Sequence, residues 1–165
     1  MDDQPPEPPD GHDAAARGLH EAGETDLLDE PVLPALGLSP STLAAVFIGG
    51  AFGTVARYLL VAHHPIAPGA FPWVTLLVNL TGSLAIGLLF PLTEHVAPRF
   101  PLLRPLTLVG FLGGWTTYST LAVDATLLAK DGDVVTFLAY VLATVLGGLA
   151  LVVLGHAAGR RLTVS

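Results

Sequence analysis

Four stretches of this 165-residue chain are long enough and apolar enough to cross a lipid bilayer. Thr42 to Ala62 holds a single charge, Arg57. Trp73 to Leu92 has none over twenty residues, and Pro105 to Val123 has none over nineteen. Val134 to Ala158 is uncharged over twenty-five residues, with His156 near its end. About twenty residues of helix cover a hydrocarbon core of roughly 30 Å. Lipid offers no partner to backbone groups, so such segments must satisfy their own hydrogen bonds and are helices. A soluble bundle would show polar outer faces at a 3.6-residue period, whereas these runs are apolar all round. The pattern predicts an all-α membrane domain over 41–158, with four transmembrane helices at about 42–62, 73–92, 105–129 and 134–157.

Composition agrees: 52% of residues are hydrophobic and 13% charged, about half the charge of a typical soluble domain. Cysteine is absent, which excludes disulfide scaffolds, zinc–thiolate sites and cysteine nucleophiles. The net charge of −7 is unevenly placed. Residues 1–40 carry ten of the fourteen acids, one base and seven of the fourteen prolines. This acidic, proline-rich segment is expected to be a disordered N-terminal tail, and it lacks the basic start and apolar run of a secretory signal. The body has four acids against six bases, without the basic stripe that nucleic-acid binding needs. Residues 159–165 read as a short basic C-terminal tail.

The loops are short, so the helices should be neighbours in one small bundle. Arg99, Arg104, Arg160 and Arg161 fall at one membrane face; Lys130 and a snorkelling Arg57 fall at the other. Four against two is a weak bias toward cytoplasmic termini.

Three constellations stand inside spans where polar groups are costly. In the first helix, Gly49 and Gly53 form a small-xxx-small pair that admits a close neighbour, followed by Arg57 near the helix end. Arg57 reads either as a snorkelled anchor or as the source of an anion-attracting potential. In the second, Asn79 lies about a third of the way across, as interhelical glue or as a donor to a stripped anion. In the third, Gly110, Gly113 and Gly114 precede five hydroxyl side chains, Thr116 to Thr120. Neither group favours a regular helix, so a break is expected near Gly113–Thr116. Carbonyls freed at that depth need protein, water or a hard cation as partner. Two lesser features extend the polar theme: Thr136, Tyr140 and Thr144 recur every four residues on the fourth helix, and Asp124 is a carboxylate within the third span.

GGAFGTVARY, VNLTGSLAIG and GFLGGWTTYST, in that order on the first three of four helices, resemble the Fluc (CrcB) family of fluoride channels. The resemblance covers roughly 43–158. It implies a channel and not an enzyme: passive fluoride export through the plasma membrane by an antiparallel dimer with two pores. It implies a structural sodium ion at the dimer centre, held by the backbone carbonyls of Gly113 and Thr116. It also implies a fluoride pathway past Asn79, Tyr118, Ser119, Thr120, Leu121, Tyr140 and Thr144; Arg57 and Asp124, from their own positions, are candidate vestibule or potential-setting groups. Gly148 falls where some members carry another hydroxyl. Uncharged donors suit this task because fluoride, stripped of water, needs replacement hydrogen bonds at each step.

One departure matters. The family usually has TTFSTF, whose two phenylalanines flank the ion path, and this chain has Tyr118 and Leu121. Tyrosine keeps a ring edge; leucine has none. The chain is therefore expected either to act as a homodimer or to be one half of a heterodimer with a second homologue, a non-conducting or half-conducting partner subunit at the extreme. A small multidrug exporter would need a carboxylate in the first helix, and 42–62 has none. An intramembrane serine protease would need an oxyanion motif beside Ser83 or Ser119 with His156.

Overall fold

The computed structural model describes residues 39–65, 67 and 70–163; the expected N-terminal tail lies almost wholly outside them. Among the described residues every regular element is helical. Helix α1 spans Pro40–His63 and α2 Trp73–Val96. A composite run follows: α3, π-wound over Pro105–Leu112, the short α4 at Gly113–Trp115, and α5 at Tyr118–Lys130. Helix α6, Val134–Thr163, is continuous over 30 residues. By length and composition α1, α2 and α6 are each able to cross a membrane. The chain is a multi-pass membrane protein.

Two ends differ from the sequence expectation, each for a physical reason. Helix α2 runs through Pro91 to Val96; Pro91 is buried, and the Thr93 hydroxyl donates to the Leu89 carbonyl at 2.8 Å, supporting the last turn. Helix α6 continues past residue 157 to Thr163 because Gly155 and Gly159 keep it seated on α2. Arg160 and Arg161 then sit in its last turn, where cations favour the helix dipole.

Helices meet as two closely packed pairs. Helix α1 lies on α3 and α4, and α2 lies on α6. A Cβ at Gly49 would fall on the Leu106 carbonyl, and one at Gly53 on the Phe111 carbonyl. Between α2 and α6, Gly87 meets the Val152 carbonyl and Gly155 the Leu84 carbonyl. Lipid supplies no hydrophobic drive between helices, so this close backbone approach is what dispersion contacts require. The α2–α6 contacts advance together along both chains, so the two helices run in the same direction.

Leu76, Ala125, Leu128 and Tyr140 form the buried core, with Phe71, Leu80, Leu121, Phe137 and Val141 packed around it. Large apolar side chains such as Phe47, Phe52 and Val135 point outward, as a lipid-facing surface requires.

A candidate ion pathway beside a helix break

Helix α4 ends at Trp115 and α5 begins at Tyr118. Between them Thr116 (φ −74°, ψ 156°) and Thr117 (φ −146°, ψ 122°) are extended. At this depth the backbone groups released by two extended residues must find other partners, and side chains supply them. Asn79 on α2 does so twice: its Nδ2 donates to the Thr117 carbonyl at 3.0 Å, and its Oδ1 accepts from the Thr117 amide at 2.8 Å. The Thr117 hydroxyl caps α5, accepting from the Thr120 amide at 3.1 Å, and contacts the hydroxyls of Thr120 and Ser119 at 3.0 and 3.2 Å. Arg57 Nε donates to the Gly114 carbonyl at 3.1 Å.

At the break the carbonyls of Gly113 and Thr116 lose the amides that a continuous helix would bring to them. In a continuous helix the Thr117 amide would reach Gly113 and the Thr120 amide would reach Thr116; both amides are diverted, to Asn79 and to the Thr117 hydroxyl. Gly113 is exposed, and a Cβ there would meet nothing. The donor set is neutral oxygen with open access on one side, which fits a hard monovalent cation. Two oxygens are fewer than such an ion takes.

A second polar group lies at the α2–α6 contact. Tyr140 is fully buried, and its hydroxyl donates to Asp124 Oδ2 at 3.2 Å. Thr75 is 1% exposed, and its hydroxyl lies near that of Tyr140 without a geometrically sound hydrogen bond. A buried, unpaired hydroxyl is rare and costs about 1–3 kcal/mol. Phe71 meets the Tyr140 ring edge-on at 5.6 Å between centroids. Thr144 is buried, and its hydroxyl donates back to the Tyr140 carbonyl at 2.8 Å, leaving its oxygen as an acceptor.

The sequence-predicted residues thus divide. Asn79, Thr120, Ser119 and the Gly113 and Thr116 carbonyls gather at the break, with Arg57 bound to it and not merely extended toward the interface. Tyr140 and Thr144 lie on the α6 side of the α2–α6 contact, and Asp124 reaches Tyr140 from α5. Leu121 packs against the core that includes Tyr140. Tyr118 points away from the protomer, 83% exposed.

Three residues have places here that the sequence did not assign to them. Thr75 is one; Thr117, singled out in the sequence only as part of the hydroxyl run, is another, as both clip and cap. The third is Ser83, whose Oγ lies 3.1 Å from where a Gly148 Cβ would stand. A signal existed: Thr75, Asn79 and Ser83 recur every four residues on α2, in phase with Tyr140, Thr144 and Gly148 on α6. Reading each motif alone hid that pairing.

Residues 44–156 match the family described as CrcB-like protein, Camphor Resistance (CrcB). The Nocardia farcinica protein named fluoride-specific ion channel FluC 2 is 44% identical over 123 residues, covering 74% of this chain and 88% of the relative. The Streptomyces coelicolor fluoride-specific ion channel FluC 1 is 43% identical over 119 residues, covering 72% and 77%. The Paracoccus denitrificans fluoride-specific ion channel FluC is 43% identical over 122 residues, covering 73% and 96%. With a family match across most of its length and relatives of this identity over three quarters or more of their own chains, the protein belongs to the CrcB family.

Proposed function

We propose that the chain is a fluoride-specific channel that lets fluoride leave the cytoplasm across the plasma membrane, down its gradient. The relatives' names support the ion. The observation that carries the mechanism is the set of uncharged donors and acceptors at membrane depth: Thr75, Asn79, Thr117, Tyr140 and Thr144, all buried in an otherwise apolar bundle. Fluoride sheds water only where other donors replace it. Asn79 has a second N–H beyond the one given to Thr117, Thr75 has an unspent hydroxyl, and neither brings a charge that would trap the ion.

In this reading the composite run from α3 to α5 is a fourth span, interrupted at Thr116–Thr117. A structural sodium ion is held at the Gly113 and Thr116 carbonyls. Because one chain offers too few oxygens, a second copy completes the cage, and the outward ring of Tyr118 belongs to that interface. An antiparallel pair of this kind brings two equivalent pathways to a shared centre. The cation would lower the cost of an anion passing nearby.

A second reading is favoured by Leu121. It packs into the Tyr140 core as an aliphatic residue and offers no ring edge to an anion. The chain is then one half of a heterodimer whose other half supplies the missing aromatic contact.

One experiment tests both. The purified chain alone is placed in liposomes and fluoride release is followed with an electrode, with chloride as control and sodium replaced by N-methylglucamine in a parallel preparation. Selective fluoride release, lost after purification without sodium, is the expected result. Release of chloride at the same rate overturns the first reading. Absence of any release from a stable dimer overturns self-sufficiency, and restoration of flux by a co-expressed homologue or by Leu121→Phe supports the second reading.

A further inference from the structure

The end of the bundle formed by residues 95–104 and the last turn of α6 carries features that ion conduction does not use. Two cavities open there and share Leu103. One, of about 300 Å³, is lined by Leu89, Leu92, Val96 and Leu162, with His95 beside them. The other, of about 370 Å³, is lined by Phe100, Leu102 and Leu106, with Arg99 at its margin. The surface they present is mostly apolar although Thr93, Thr107 and Thr163 also line the first, and Phe100 and Leu102 are themselves exposed.

The rim is basic. The Arg104 guanidinium lies over the Phe90 ring, 4.5 Å from its centroid, and that of Arg99 over the Phe100 ring at 5.6 Å. A guanidinium held over a ring keeps N–H groups with which to meet a phosphate. Neither arginine has an ion-pair partner among the described residues. Arg160 and Arg161 add charge from α6, and the one acid nearby in sequence is Glu94. The opposite end is different: Lys130 there is followed by Asp131 and Asp133.

We propose that this end is a binding site for one anionic phospholipid, with its phosphate on Arg99 and Arg104 and an acyl chain along the groove past Leu103. Charge complementarity and depth select this occupant. Guanidiniums at the end of apolar spans stand at headgroup level, and the apolar floor continues from them toward the hydrocarbon. A second copy seated on this end in the same orientation would set Arg99 and Arg104 against their own copies.

The test uses the full chain reconstituted in vesicles of phosphatidylcholine and phosphatidylglycerol, 3:1, then released in mild detergent and weighed intact by native mass spectrometry. The expected result is one phosphatidylglycerol retained per chain. The R99Q/R104Q variant should retain it about tenfold less, R99K/R104K should recover part of the loss, and 0.5 M salt should weaken retention. Leu103→Trp, which fills the shared wall with every arginine in place, should also lower retention. Equal retention of phosphatidylcholine and phosphatidylglycerol by the parent protein overturns the proposal, as does unchanged retention in R99Q/R104Q. A shift of dimer to monomer in R99Q/R104Q with lipid retention unchanged would assign the groove to a second copy instead.

Discussion

Helix α6 and the composite run from Pro105 to Lys130 are of similar length and apolar character, yet one is continuous and the other is interrupted. Glycine does not explain the difference. Helix α6 contains Gly147, Gly148, Gly155 and Gly159 and stays helical; Gly113 and Gly114 stay helical too. The extended residues are the two threonines after them. What distinguishes the composite run is a neighbour that accepts and donates for its backbone: Asn79 takes Thr117 on both sides, and Arg57 takes the Gly114 carbonyl. In a bilayer an interruption lasts only where such substitutes exist. Glycines set how close the helices come, and polar side chains set where the helix stops.

Removing the substitute should have the largest effect. Asn79→Leu leaves the Thr117 amide and carbonyl buried and unpaired, at about 1–3 kcal/mol for each group. Denaturation in a detergent titration should show a loss on that scale. The glycine half of the comparison is tested by two neighbours. Gly49→Ala drives a methyl into the Leu106 carbonyl, whereas at Gly50 the nearest atom, the Gly110 carbonyl oxygen, is 3.8 Å away. Gly49→Ala should cost about 1–3 kcal/mol through overpacking. Gly50→Ala should be neutral or gain about 0.5 kcal/mol from helix propensity. Opposite signs at adjacent positions, read in the same titration, would isolate helix approach from flexibility.

Arg57→Leu should be milder, about 1 kcal/mol, since it takes one partner from a single half-buried carbonyl. The smallest effect belongs to the start of α6. The Asp133 carboxyl is held below its usual range by the Thr136 hydroxyl and by the Thr136 amide, which donates to it at 3.0 Å. A carboxyl whose folded-state pKa is depressed stabilises the fold above its unfolded value and loses that contribution as pH falls through the folded one. Melting temperature should therefore drop slightly on acidification below about pH 4, and less so in Asp133→Asn.

Much of this was legible in the sequence because lipid simplifies the reading. A run such as Val134 to Ala158 has no other stable form, and Gly49 with Gly53 announces a close neighbour. The glycine cluster at 110–114 drew the expected break slightly early, since local propensity shows where a helix is weak and not which residues have a partner to replace its bonds. The 38-residue separation of Asn79 from Thr117 carries no local signature. Thr75 is the same kind of case: a threonine in an apolar helix is ordinary until its hydroxyl proves to be buried, unpaired and close to that of Tyr140. The winding of Pro105–Leu112 into π-type turns has no visible cause in its residues.

The most direct test joins the break to conduction. Fluoride efflux is recorded from proteoliposomes of equal protein content, bearing the parent chain or Asn79→Leu, with chloride as control. If Asn79 holds the break and faces the ion, efflux should fall at least about tenfold, corresponding to about 1.4 kcal/mol at the barrier, while the variant still incorporates as a dimer. Unchanged fluoride flux in a well-incorporated Asn79→Leu protein would contradict the account.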